Sequence, residues 1–308
     1  MSANTVKGHL AAGLAYAIFG INIVTTKDVA NSGIFAPIAL FTLRAIGASA
    51  LFWLISLFMP KEKVAPGDFV KIILASILGL FIPQMTFLAA ITMSTSIDTA
   101  IMSSIAPIMT MFVAAIVVKE PITLKKAGGV ATSFIGVIIL ILNSMHYSGG
   151  AVETTTPLGF VLLALNALSF ASYLGIFRPL ISRYSVVTFM KWMFLSVLII
   201  SLPFSVKPLL HTDYAAASGL IWGEIGFLIL FATFVAYFLI PIGQKNLRPT
   251  IVSLYTYLQP IIATLISIAV GMDTISWQKC IAIAMVFAGV AIVNKSRAAG
   301  QLPAEKKS

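Results

Sequence analysis

Charge is what this chain has least of. Only 10% of its 308 residues are Asp, Glu, Lys or Arg, far below what a water-facing surface needs. There is one cysteine, Cys280, inside an apolar run, which excludes a disulfide framework and a thiolate metal site. No glycine-rich phosphate loop, no HExxH pair and no nucleophile with a base in reach can be found. The expectation is a protein that is not an enzyme and holds no metal or cofactor. Acids are absent from the middle of every apolar run; Asp98 and Glu224 fall near run ends. The three histidines, His9, His146 and His211, lie at run ends or in linkers. A proton-coupled carrier usually keeps a carboxylate or imidazole in its substrate path. None is evident here.

What is present is hydrophobic, 59% of the chain, cut into segments of the length a helix needs to cross hydrocarbon. Ten runs are predicted at 9–27, 35–58, 69–91, 97–118, 124–143, 157–177, 186–206, 217–240, 249–270 and 276–294. The fold class is therefore an all-α polytopic membrane protein with ten transmembrane helices. Breakers separate the runs, among them Asn31-Ser32-Gly33, Met59-Pro60-Lys61, Ser148-Gly149-Gly150 and Lys207-Pro208. Thr123 and Ser276 are placed to cap the fifth and tenth helices. Lys7 precedes an apolar run without a small-residue cleavage site, so the first helix is expected to stay uncleaved. After Asn294 the tail is polar and basic.

The net charge of +10 raises the possibility of nucleic-acid binding, but its distribution points to a bilayer instead. With a cytoplasmic N-terminus, the inner side holds Lys7, Lys61, Lys63, Lys71, Lys119, Lys125, Lys126, Arg178, Arg183, Lys245, Arg248, Lys295, Arg297, Lys306 and Lys307. The outer side holds only Lys27, Lys207 and Lys279. Both termini are thus expected in the cytoplasm, in a multi-pass protein of the cell inner (cytoplasmic) membrane. The expected partners are the bilayer and a small-molecule substrate, with no nucleic acid, in a monomer or weak homo-oligomer.

Punctuation in the first half is written again in the second. At a constant offset of 153, Pro107-Ile108 meets Pro260-Ile261, Glu120 meets Asp273, Ile122-Thr123 meets Ile275-Ser276, and Lys126 meets Lys279. Phe134, Gly136 and Val137 then meet Phe287, Gly289 and Val290. Each of these constrains backbone or helix ends, so one structural unit is used twice. Five helices per unit is odd, so the second copy enters the membrane from the opposite side. The expected organisation is a first repeat at 1–147, an outer linker at 148–156, a second repeat at 157–294 and a basic tail at 295–308. Inverted repeats of this kind suit alternating access.

These residues resemble the EamA-type, ten-helix members of the drug/metabolite transporter superfamily. The resemblance is carried by Leu88-Ala89-Ala90 through Ser96, Ala106-Pro107-Ile108, Lys119 to Thr123 and Gly136-Val137. In the second half Ile242–Pro249, Gln259-Pro260-Ile261, Asp273 to Ser276 and Gly289-Val290 carry it, and Phe19-Gly20-Ile21-Asn22, Lys27 and Arg44 add to it. Asp273 departs from the family's more frequent glutamate. The resemblance implies a secondary carrier, in many members an exporter of amino acids or other small metabolites. Efflux of aromatic or cationic drug-like compounds is the alternative within that class, and a non-transporting membrane scaffold the alternative outside it.

Polar side chains at membrane depth are costly and therefore become candidates. Asn22, Gln84, Tyr173, Tyr237, Tyr255 and Gln259 are such residues. Either they line a substrate cavity or they tie helices together, the latter worth about 0.6 kcal/mol per pair. Gln84 and Tyr237 are repeat equivalents, and Tyr255 and Gln259 are one turn apart. Pro107 and Pro260 should kink their helices, as gating flex points or as plain curvature around a cavity. Lys27 and Arg44, near the outer helix ends, are candidates to read substrate charge; snorkelling or an ion pair with Asp28 is the competing role. Ala100, Ser103, Pro107 and Ala114, with Ser253, Thr256, Pro260 and Ser267 at the same offsets, form a small-residue stripe read as helix packing. Glu120 and Asp273 are read as parts of structural turns.

Overall fold

The structure is a computed structural model that describes residues 3–90, 93, 102–144, 156–269 and 276–296, and all side chains there except those of 27, 31, 263 and 267. Every long described element is helical. In chain order these are α1 (Ala3–Asn31), α2 (Pro37–Ser56), α3 (Pro66–Ala90), α4 (Ala106–Val117) and α5 (Leu124–Ser144). The second half supplies α6 (Pro157–Ile176), α7 (Val186–His211), α8 (Gly219–Asn246), α9 (Pro249–Ala269) and α10 (Trp277–Asn294). Among the described residues, nine of these are long and apolar enough to cross a membrane. The helix α4 has 12 residues, because a turn at Ser104 and Ile105 interrupts the predicted 97–118 run, of which 97–101 lie outside the described residues.

Local chemistry sets the helix starts. Thr123 Oγ1 accepts from Lys126 N at 3.2 Å and Ser276 Oγ accepts from Lys279 N at 3.4 Å, as the caps predicted from sequence require. Thr156, Ser185 and Ser218 cap α6, α7 and α8 in the same way. Capping matters more here than in water, since lipid offers no acceptor for a helix's first N–H groups. One boundary differs from expectation. Lys207-Pro208 does not end α7, which runs through Pro203 and Pro208 to His211. In an apolar medium the remaining backbone bonds are too costly to release at a single proline.

The two halves are antiparallel, and their packing locates the symmetry axis. Along α5 and α10, Gly129 lies against Val293 and Gly136 against Ala282 and Val286, so numbers rise on one helix as they fall on the other. A Cβ at Gly289 would stand 2.1 Å from Ser133 Oγ and 2.4 Å from Gly129 O, so glycine is what lets these backbones meet. A residue can touch its own repeat equivalent only on the axis that relates them. Ser133 Oγ donates to Val286 O at 3.0 Å across 153 positions, and Gln84 Nε2 donates to Tyr237 Oη at 3.3 Å across the same interval. The pseudo-two-fold axis passes through both pairs, perpendicular to the helices. Two inverted repeats therefore build the fold.

Gly8 touches Asn246 and Leu247, and Arg248 reaches Val293 and Asn294, so the start of α1 and the end of α10 share one end of the bundle. That end is the terminal face. It also holds the α2–α3, α4–α5, α6–α7 and α8–α9 connections. Large apolar side chains such as Leu10, Phe58, Ile116, Leu124 and Leu210 point outwards, as lipid-facing residues do.

Candidate functional site

Two departures from regular α-helix surround the centre of the molecule, and each occurs twice. In α3 the segment Ile77–Phe81 is π-helical, and in α8 the segment Leu230–Val235 is, again 153 apart. A π-turn widens the helix and frees carbonyls, and side chains take them up. Ser169 Oγ donates to Leu78 O at 2.8 Å, and Thr233 Oγ1 donates to Leu228 O at 2.7 Å. In α9 the residues Tyr255–Tyr257 form a 3-10 turn, and in the other half Ser104 and Ile105 form a turn ahead of α4. Pro107 and Pro260 come just after these breaks, near the start of the α-helical segments that follow. The structure thus shows more than the predicted kink. The chain leaves α-helical geometry before each proline, where the missing N–H leaves no bond to keep it.

Between the halves lies a cavity of about 140 Å³. Three pairs of repeat equivalents contribute to its wall: Gln84 with Tyr237, Ser103 with Thr256, and Ala106 with Gln259. The cavity therefore straddles the axis. By helix rise, its lining on α6 and α9 begins about 9–10 Å from the terminal-face ends, and on α1 and α3 it begins only about 20–25 Å away. The space is biased towards the face opposite the termini. Phe19 and Phe194 stand edge-on to Tyr237, with centroids 5.4 and 5.7 Å away, and fix that ring.

The candidate residues separate into two groups. Asn22, Gln84, Tyr237, Gln259 and Arg44 all line the cavity. Asn22 Oδ1 accepts from Thr26 Oγ1 at 3.3 Å, while Gln84 Oε1 is buried with no partner. Tyr173 and Tyr255 do not line it. The Tyr173 ring is fully buried over Gly79 in the π-turn, where a Cβ would meet it at 2.6 Å. Tyr255 Oη pairs with His9 Nδ1 at 2.7 Å, towards the terminal face. Its expected shared face with Gln259 is lost because the intervening 3-10 turn adds about 60° of rotation over three residues. The stripe residues Ser103 and Thr256 line the cavity as well as sitting at a helix crossing. The side chains of Lys27 and Ser267, with Ala100, Asp98 and Asp273, lie outside the described residues.

Arg44 differs most from expectation. It sits seven residues into α2, about 10 Å from that helix's start, and is only 6% exposed. It neither snorkels nor forms a described ion pair with Asp28; its Nε donates to Thr233 Oγ1 at 2.9 Å. The second π-turn thereby holds the guanidinium. Asn166 was missed altogether, although it is an amide in an apolar run as Asn22 is; its Nδ2 donates to Pro83 O at 2.6 Å on the cavity wall.

The terminal face is closed beneath the cavity. Glu120, 2% exposed, pairs with the fully buried Lys126 at 3.1 Å and with Arg248 at 3.7 Å, and accepts from Thr250 Oγ1 at 3.2 Å. Glu120 goes beyond its expected turn role, because Arg248 and Thr250 tie it to the other half. Lys119 takes a positive φ of 53° ahead of it, and Glu120 N then bonds back to Ala114 O, closing the end of α4. Arg178 Nε donates to Gln244 O at 3.1 Å nearby, and burial lowers the affinity of Arg178 and Arg248 for their protons, opposed by Glu120. On the same face Glu62 caps α7, accepting from Ser185 N at 3.0 and 3.2 Å.

A family model described as the EamA-like transporter family matches residues 6–142 and 157–295, one match for each inverted unit. The chain belongs to the EamA-like transporter family. It is a membrane transporter. An uncharacterized transporter of Bacillus subtilis (strain 168), YyaM, is 26% identical over 249 residues, 78% of each chain. A second from the same organism, YetK, is 22% identical over 97% of this chain and 91% of its own. A solved crystal structure superposes with a TM-score of 0.75 over 96% of this chain and 99% of its own at 17% identity, which speaks for the fold alone. Each of the two matched stretches of this EamA-like chain contributes one of the π-turns and part of the cavity wall.

Proposed function

We propose that this transporter is a secondary carrier that moves small polar metabolites, amino acids among them, out of the cell by alternating access. The supporting observation is the cavity on the pseudo-two-fold axis, biased to one face and sealed at the other by Glu120, which pairs with the buried Lys126 of its own half and with Arg248 of the other. Exchange of conformations between two equivalent halves would open the terminal face and close the opposite one. The cavity's wall of amides, hydroxyls and aromatic rings suits a small polar solute. Its 140 Å³ is below the 300 Å³ or so at which pockets for drug-sized ligands begin, which favours metabolites over drug-like compounds.

The excess of basic residues on the terminal face supports a cytoplasmic orientation for it, and a cysteine introduced at Gly149 should then be labelled from outside intact cells. Counterflow of labelled amino acids into proteoliposomes tests the carrier reading. Accumulation driven by unlabelled solute on the far side is expected, and it should persist when the proton gradient is collapsed. The described wall of the cavity contains no carboxylate or imidazole to carry a proton. No counterflow with any small metabolite would point to a scaffold, and obligate proton dependence would overturn the uncoupled mechanism.

A further inference from the structure

Arg44 is the one charged residue among the described residues that line the cavity, and it is 94% removed from solvent. Its described hydrogen bond uses Nε alone, donated to Thr233 Oγ1. The two terminal nitrogens have no protein acceptor among the described residues, and no carboxylate shares the wall. A buried cation without a counter-charge is unfavourable, and structures ordinarily supply an acid beside it. Among the described residues none supplies that acid. With the guanidinium plane fixed through Nε, its free end presents two parallel N–H donors, the spacing that a carboxylate's two oxygens match. Gln84 Oε1, buried in the same wall with no partner, supplies an acceptor for an N–H or O–H elsewhere on the bound molecule.

We propose that Arg44 is the anion subsite of this cavity and that the transported solute is a small carboxylate-bearing molecule. Its carboxylate sits end-on against the guanidinium and an adjacent donor group faces Gln84. The proposal deepens the carrier reading by naming its substrate class, and rests on it only in calling the bound solute a substrate. Cationic compounds are disfavoured by like charge beside a buried guanidinium. Thr233 acts as a positioning residue. The π-turn in α8 gives its hydroxyl a carbonyl to donate to, which leaves its lone pairs facing Arg44.

Binding is read as thermal stabilisation of the purified, detergent-solubilised protein. The probes are α-amino and α-hydroxy acids (glycine, alanine, leucine, phenylalanine and lactate) against the matching carboxamides, which keep the side chain and remove the negative charge. At least one acid should stabilise the wild-type protein while its amide requires roughly tenfold more, or fails. Arg44→Lys should raise the half-stabilising concentration of that acid about tenfold, because a point charge replaces the fork, and Arg44→Gln should abolish the response. Thr233→Val, which removes the Nε acceptor together with the hydroxyl's bond to Leu228 O but keeps the guanidinium, should weaken it less than Arg44→Gln. Amides as effective as acids, no response to any carboxylate, or an unchanged acid response in folded Arg44→Gln would each overturn the proposal. Where Arg44→Gln does not fold, the comparison of acids with amides on wild-type protein decides. Acid-selective stabilisation without counterflow sinks the carrier reading and keeps the subsite; counterflow of uncharged or cationic solutes that Arg44→Lys leaves intact does the reverse.

Discussion

Removing the charge of Glu120 while keeping its shape tests what closes the terminal face. Its carboxylate lies 3.1 Å from Lys126 Nζ, with side chains 2% and 0% exposed. At that distance the attraction is about 5 kcal/mol for an effective dielectric of about 20, most of it spent against desolvation of the two ions. Glu120→Gln leaves the desolvation of Lys126 in place and removes the attraction, so it should destabilise the protein by about 3–5 kcal/mol. Glu120→Gln combined with Lys126→Met removes both ions and fills the lysine's volume. It should return to within about 1–2 kcal/mol of wild type, since apolar replacement of a buried pair is often close to neutral. Arg248 remains held by Ser296 Oγ at 3.1 Å and Val293 O at 2.8 Å, and does not become a second orphan. The assay is chemical unfolding in detergent micelles, followed by tryptophan fluorescence. A coupling energy of at least about 2 kcal/mol is expected between the two positions. Purely additive losses, or a Glu120→Gln protein within about 0.5 kcal/mol of wild type, would refute the buried-pair argument.

Gly289→Ala should destabilise by about 1–3 kcal/mol, since its Cβ would meet Ser133 Oγ and the Gly129 backbone; Gly128→Ala, with nothing within 4 Å, should be neutral or stabilising in the same thermal melts. Gln84→Leu and Tyr237→Leu should each weaken solute affinity by about 1–3 kcal/mol, roughly fivefold to hundredfold, with membrane yield little changed. Lower stability with unchanged affinity would make them helix ties instead. Glu62 is pushed up by burial, but hydrogen bonds from Thr188 and Ser185 and the charge of Lys245 outweigh this and hold its carboxyl below the ordinary value. Its stabilising contribution is therefore present above the unfolded value of about 4.3 and is lost as pH falls through the lower folded value. The stability gap between wild type and Glu62→Gln should be full at pH 7 and shrink below about pH 4.3; a gap that widens on acidification would contradict the capping geometry.

Sequence by itself determined the class and the plan. Apolar run length announced the helices, because hydrocarbon thickness and helix rise leave little choice. Thr123 and Ser276 announced two helix starts, because a hydroxyl is the acceptor those N–H groups need. The offset of 153 announced the duplication, and an odd number of helices per copy made it inverted. It also marked Gln84 and Tyr237 as equivalents, which is why their contact could be recognised as lying on the axis. Tertiary structure decided the rest. The π-turns at Ile77–Phe81 and Leu230–Val235 have no residue signature, since their freed carbonyls are satisfied by Ser169 on another helix and by Thr233 locally. The 3-10 turn at Tyr255–Tyr257 carried Tyr255 away from Gln259, which a fixed helical period could not show. Tyr173 looked like a cavity residue until a glycine 94 positions earlier proved to be the floor its ring rests on. Arg44 could be snorkelling, paired or in the site as far as one helix can tell. Only the packing of α8 against α2 buries it, orients it through Thr233 and leaves it without a counter-charge among the described residues. Helix existence follows from local chemistry, whereas the facing of each polar side chain depends on rotations that only neighbouring helices impose.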